Sequence, residues 1–187
     1  MRSAAVEAIA KVGVGPLEAQ LKAVLQGATP SSTYPFVVLY RLLSNSDDSS
    51  MAAVFADSLK GISVSREADF FNGIQHSRKP WLRALLLELA RGESRNRSAA
   101  FVTLTDWPDA DTQRELVRSC LQRLEAAPPA SSPERRHYLV ELEPCRRYLG
   151  MRAGRNPFSW EEYDAALATA QQLFLATALP ARADDPR

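Results

Sequence analysis

Residues Arg146 to Trp160 (RRYLGMRAGRNPFSW) carry four arginines, Arg146, Arg147, Arg152 and Arg155, and no carboxylate. Tyr148, Met151, Phe158 and Trp160 are interleaved among them. Guanidinium groups beside aromatic rings can grip phosphate or a stacked base. The same pairing anchors protein interfaces, where Tyr, Trp and Arg are enriched. The plainer alternative is a helix–helix connection with packed rings and solvated charges. The expectation is a partner-binding surface that uses Arg146, Arg147, Arg152, Arg155, Phe158 and Trp160.

A second basic stretch runs from Arg78 to Arg97. Arg78, Lys79, Arg83, Arg91, Arg95 and Arg97 face only Glu88 and Glu93 in sequence. This could bind an anion, although charge on the outer face of a buried helix is usually only solvated. If both stretches share one side of the protein, they form an electropositive groove.

Other chemistry finds little support. Asp47, Asp48, Asp109 and Asp111 sit where helix caps belong. There is no GxSxG, no phosphate-binding glycine loop and no HExxH. Cys120 and Cys145 lie among apolar neighbours and read as small buried hydrophobes. His76 and His137 are far apart, and neither is read with a carboxylate or Cys partner at metal-ligand spacing. No catalytic residue, metal site or cofactor is therefore expected, and the protein is read as not an enzyme.

The elements that position these residues are helices. The 187-residue chain suits one domain. Ala5, Ala8, Ile9 and Val12 mark a helix over about 2–12, and Gly13 and Gly15 end it. Pro16 opens the next, with Leu17, Leu21, Val24 and Leu25 on one face up to Gly27. Residues 33–43 are apolar nearly all round, which predicts deep burial. Further helices are expected at 51–61, from Ser65 with Gly73 as a weak point, at 80–92, 94–105 and 110–126. Pro128 and Pro129 mark a stiff linker. A helix capped by Ser132 follows, with a kink or break at Pro144. Ser159 and Glu162 form a capping box, stapled by Phe158 and Tyr163, for a last helix to about Leu179. No sustained period-2 alternation predicts a strand.

The formal net charge is +1, so the chain is not built to coat a polyanion. No apolar run approaches the roughly 20 residues of a membrane span. The N-terminus begins with an amphipathic pattern rather than a signal-peptide core. A soluble, cytoplasmic protein is expected.

Paired, the helices start near residues 2, 34, 66, 94 and 133, a spacing of roughly 30 residues that suits helical repeats. Arg2, Ala5, Ala8, Ile9, Val12 and Gly13, followed by Pro16, Leu17, Leu21 and Leu25, resemble a bacterial HEAT-like repeat. The match is specific for this first pair and covers about a third of the chain. Downstream pairs keep only the layout or the helical period. The resemblance implies an all-α, right-handed superhelical stack of about ten helices in antiparallel pairs. Residues 1–127 would form the repeats, 133–179 a capping pair in the same domain, and 180–187 a disordered tail.

Similar proteins are mostly interaction scaffolds; a minority bind nucleic acid, and a few are lyases or DNA glycosylases. A glycosylase cleft could draw on Trp81, Trp107, Asp111 and Arg114, but these do not match that family residue by residue. The expected function is a non-catalytic scaffold or adaptor in a larger assembly, binding another protein or itself through the N-terminal pair. The alternative is nucleic-acid binding through an Arg-rich groove.

Overall fold

Apolar side chains recurring every three to four residues, several runs of them behind a proline or a capping side chain, produce the helices of the described residues. The computed structural model describes residues 15–27, 36–60, 62–92, 95–152 and 163–178, which hold ten helices and no strand. They are α1 (Gly15–Gly27), α2 (Phe36–Leu43), α3 (Met51–Ser58), α4 (Val64–Ile74) and α5 (Pro80–Arg91), followed by α6 (Arg97–Thr105), α7 (Ala110–Glu125), α8 (Arg135–Glu141), α9 (Glu143–Arg152) and α10 (Tyr163–Ala178). The helix expected over 2–12 and the capping box at 159–162 lie outside the described residues. The chain divides into two compact units, Met1–Thr103 and Leu104–Arg187. The division falls within α6, and the proline-bearing stretch 127–132 lies inside the second unit.

The first unit is organised around α2, whose Phe36, Leu39, Tyr40, Leu42 and Leu43 are all buried. Tyr40 meets Phe55 of α3 and Phe70 of α4 edge-on, with ring centroids 5.5 and 5.0 Å away. Phe55 in turn meets Phe70 at 5.5 Å and Trp81 at 5.3 Å. Edge-to-face rings add to the stabilisation that burial alone supplies. Two buried hydrogen bonds hold the turn after α2: Ser77 Oγ donates to the Ser44 carbonyl at 2.5 Å and Trp81 Nε1 to the Ser46 carbonyl at 2.9 Å. Buried Arg66 stacks over Phe36 at 3.7 Å, a cation–π contact.

Several boundaries differ from expectation. Ser63, not Ser65, caps α4, because Ser63 has the extended backbone a cap requires and accepts the Arg66 amide. Gly73 is a packing requirement, not a weak point. A Cβ there would lie 2.6 Å from Tyr40 Cβ and 2.8 Å from the Val37 carbonyl oxygen, so a side chain would block the close approach of α4 to α2. Helix α6 starts at Arg97 rather than 94, after a turn at Arg95 and Asn96. Pro80 in the first turn of α5 and Gly92 at its end fall where the sequence places them. On α1, Leu25 is buried but Leu17 is 41% exposed, so the expected apolar face is only partly covered.

In the second unit, α7 packs along α10, and α9 meets both α8 and α10. Ala166 and Ala170 of α10 are buried one turn apart; small residues at that spacing let helices approach closely. Leu116, Val117, Cys120, Leu124, Leu142, Cys145, Tyr148 and Leu149 form the core. Both cysteines are free and buried, as expected. Asp109 caps α7: Oδ1 accepts the Thr112 amide at 2.8 Å and Oδ2 accepts the Thr112 hydroxyl at 2.6 Å. Asp109→Ala should cost about 1 kcal/mol, read as a lower urea midpoint with unchanged slope.

The break at Pro144 is real. It separates α8 from α9, and Pro144 sits in the first turn of α9, where a missing amide is tolerated. The start of α8 is two residues later than expected, because Ser132 Oγ accepts the Glu134 amide in a local turn instead of capping the helix. Arg123 ties the break to α7. Its Nη2 donates to the Glu141 carbonyl at 2.8 Å and its Nη1 to Cys145 Sγ at 3.5 Å.

Candidate functional site

Two of the described arginines of the 146–160 stretch, Arg146 and Arg147, are held by a carboxylate outside it. Glu143 lies one turn back on α9. Arg146 Nε and Nη2 donate to its two oxygens, both at 2.7 Å, and Arg147 Nε donates to Oε1 at 2.8 Å. The hydrogen bond from Arg146, reinforced by Arg147, holds the Glu143 carboxyl below its ordinary value, against a smaller opposing push from burial. This is the i+3 and i+4 geometry of helix ion pairs, a signal legible in the sequence that reading the stretch from Arg146 onward misses. Arg152 is exposed in the last turn. Arg155, Phe158 and Trp160 lie outside the described residues.

Tyr148 is core, not surface. Burial pushes its phenol up to about 12, and its hydroxyl donates to Gln113 Oε1 at 2.9 Å. The folded value lies above the ordinary 10.0, so the stabilisation is complete below pH 10 and is lost as pH climbs through the folded value. Tyrosinate absorbance should show a step near pH 12 that Tyr148→Phe removes.

The Glu143 pairs are partly exposed, so their worth is small. Glu143→Gln should cost less than about 1 kcal/mol at pH 7. With a lowered folded pKa, that contribution is present above the ordinary 4.5 and vanishes as pH falls through the folded value. Denaturation midpoints of wild type and variant should therefore converge below that window.

The 78–97 stretch belongs to the first unit, and most of its cations secure local structure. Arg78 Nη1 donates to the Gln75 and Ser77 carbonyls at 2.7 and 2.8 Å, past the end of α4. Lys79 Nζ reaches Asp47 Oδ1 at 2.6 Å. Arg95 pairs with Glu67 at 3.2 Å and also donates to the Ile62 carbonyl. Arg97 Nε donates to the Gly92 carbonyl at 2.5 Å. Arg83 is half-buried and Arg91 exposed on α5.

The remaining candidates also have local roles. Asp48 Oδ1 accepts the Ser50 amide at 2.8 Å and so shapes the turn into α3. Trp81 and Trp107 are buried in different units, and Asp111 pairs with Arg114 at 3.3 Å on α7. His137, contrary to expectation, has a carboxylate neighbour on its own helix. Glu141, four residues on, lies 3.5 Å from its Nε2, so the helical carboxylate partner does exist. Among the described residues, no three His, Cys, Asp or Glu gather as metal ligands, and no helix is long and apolar enough to cross a membrane.

One apolar surface among the described residues lies open around α8. Tyr138, Leu139, Leu142 and Cys145 follow one another at helical spacing on either side of Pro144. The Pro144 break leaves only Leu142 and Cys145 fully inside, and α8 buries none of its residues. Val140 is 67% exposed. Beside it lies an open groove of about 510 Å³ lined by Ala130, Pro133, Arg135, Arg136, Leu139 and Val140. Arg135 is held at its edge by a 2.5 Å bond from Nη1 to the Pro128 carbonyl. The available clue was a helix of two turns between Pro133 and Pro144, too short to bury a full face. No family model, curated protein or solved structure matches the chain.

Proposed function

We propose that this protein is a non-catalytic interaction scaffold or adaptor subunit of a larger assembly, working in the cytoplasm. Its helices would stack as HEAT-like antiparallel pairs in a right-handed superhelix, as the resemblance of the first pair and the spacing of roughly 30 residues suggest. The observation that carries the functional reading is α8, a helix with no buried residue beside an apolar groove. Such a face fits an interface centre, where apolar residues and arginine concentrate.

The nucleic-acid alternative is less favoured. Lys79, Arg95, Arg146 and Arg147 each contact a carboxylate within 3.2 Å, which a phosphate would have to displace. Arg78 and Arg97 donate to backbone carbonyls.

A tagged pull-down from native lysate at moderate salt, with and without nuclease, separates the two. A scaffold should retain a stoichiometric protein after nuclease and lose it on Val140→Asp, a change at an exposed position. Co-purified nucleic acid, or proteins released by nuclease, would instead favour the Arg-rich surfaces and predict steep weakening with salt.

A further inference from the structure

We propose that the α8 groove receives an acidic peptide segment anchored by an aliphatic side chain. This rests on the scaffold reading and names the partner chemistry of the same surface. The floor is apolar: Ala130, Pro133, Leu139 and Val140 line it. Ser132, Arg135 and Arg136 supply the polar lining, with no carboxylate among the described lining residues. Glu134 and Glu141 lie at the ends of α8 and do not line the groove.

Charge complementarity therefore selects the occupant. A basic segment would place its cations against two guanidinium groups, and like charges brought together at an interface carry a penalty. Carboxylates meet those groups with paired geometry that arginine provides and lysine does not. Arg135 is already oriented by its bond to the Pro128 carbonyl, so less side-chain freedom is lost when a carboxylate binds. Arg136 is exposed. The groove volume lies within the range of small binding clefts, roughly 300 to 1,000 Å³, and suits one or two anchor side chains better than a broad protein face.

The test uses the full chain and a displayed library of random twelve-residue peptides. Enriched peptides should carry net negative charge around a Leu, Ile or Val. Arg136→Glu should weaken a synthesised hit about tenfold, the equivalent of roughly 1.4 kcal/mol, and Val140→Asp should abolish its binding. Both substitutions are at exposed positions, and circular dichroism checks that the helices persist. Neutral or basic hits, an absence of enrichment, or hits that bind both variants unchanged would overturn the inference. If the library yields nothing while the lysate partner is still lost on Val140→Asp, only the acidic-peptide inference falls. If that partner is also absent, or binds the variant equally well, the scaffold reading falls with it.

Discussion

Phe55→Ala should destabilise the first unit by about 4 kcal/mol, within the range for truncating a buried aromatic ring. Phe55 is fully buried and contacts three rings edge-on, those of Tyr40, Phe70 and Trp81. Truncation removes its own burial and leaves three partners facing a cavity that helices cannot easily close. A loss of that size is a large fraction of typical domain stability, about 5–15 kcal/mol. Urea titration should show the lower midpoint, and near-ultraviolet dichroism should lose aromatic intensity. Phe55→Leu fills most of the volume and should lose less than half as much. Equal losses in the two variants would mean that the ring contacts, rather than the filled volume, dominate.

Gly73→Ala should destabilise by about 3 kcal/mol, toward the upper end for overpacking. Helix propensity alone gives the opposite sign, since alanine is favoured over glycine by about 1 kcal/mol in a helix interior. The added methyl would sit 2.6 Å from Tyr40 Cβ and 2.8 Å from a backbone oxygen. Neither atom is the end of a flexible side chain, so α4 must move off α2 and loosen the ring cluster with it. A urea midpoint above that of wild type would show that the helices separate at little cost. That outcome would remove the central claim about how the first unit is packed.

Much of the architecture was legible because it is local. Pro80, Gly92 and Asp109 act within one turn of their own positions, through a fixed φ, a chain stop and a capping oxygen. The all-round apolar composition of α2 likewise marked a buried helix, since such a helix has no polar face to give to water. The candidate surface was harder to read. The sequence offers arginines, but whether an arginine is engaged depends on what folds against it. Glu143, within one turn, could have been found by counting; Asp47 opposite Lys79 and Glu67 opposite Arg95 could not, because 32 and 28 residues separate them in the chain.

By itself the sequence determined that this protein is helical, roughly where its helices begin and end, and that Pro144 interrupts one of them. Those properties depend on backbone sterics and on side chains within four residues. Only the tertiary structure decided that Gly73 must stay small, that Tyr148 is core, and that α8 remains on the surface. Each depends on the distance to a second element, and short-range patterns do not encode it. Burial goes to the faces that reach a neighbour, and the short helix left by the proline break reaches none with a full side.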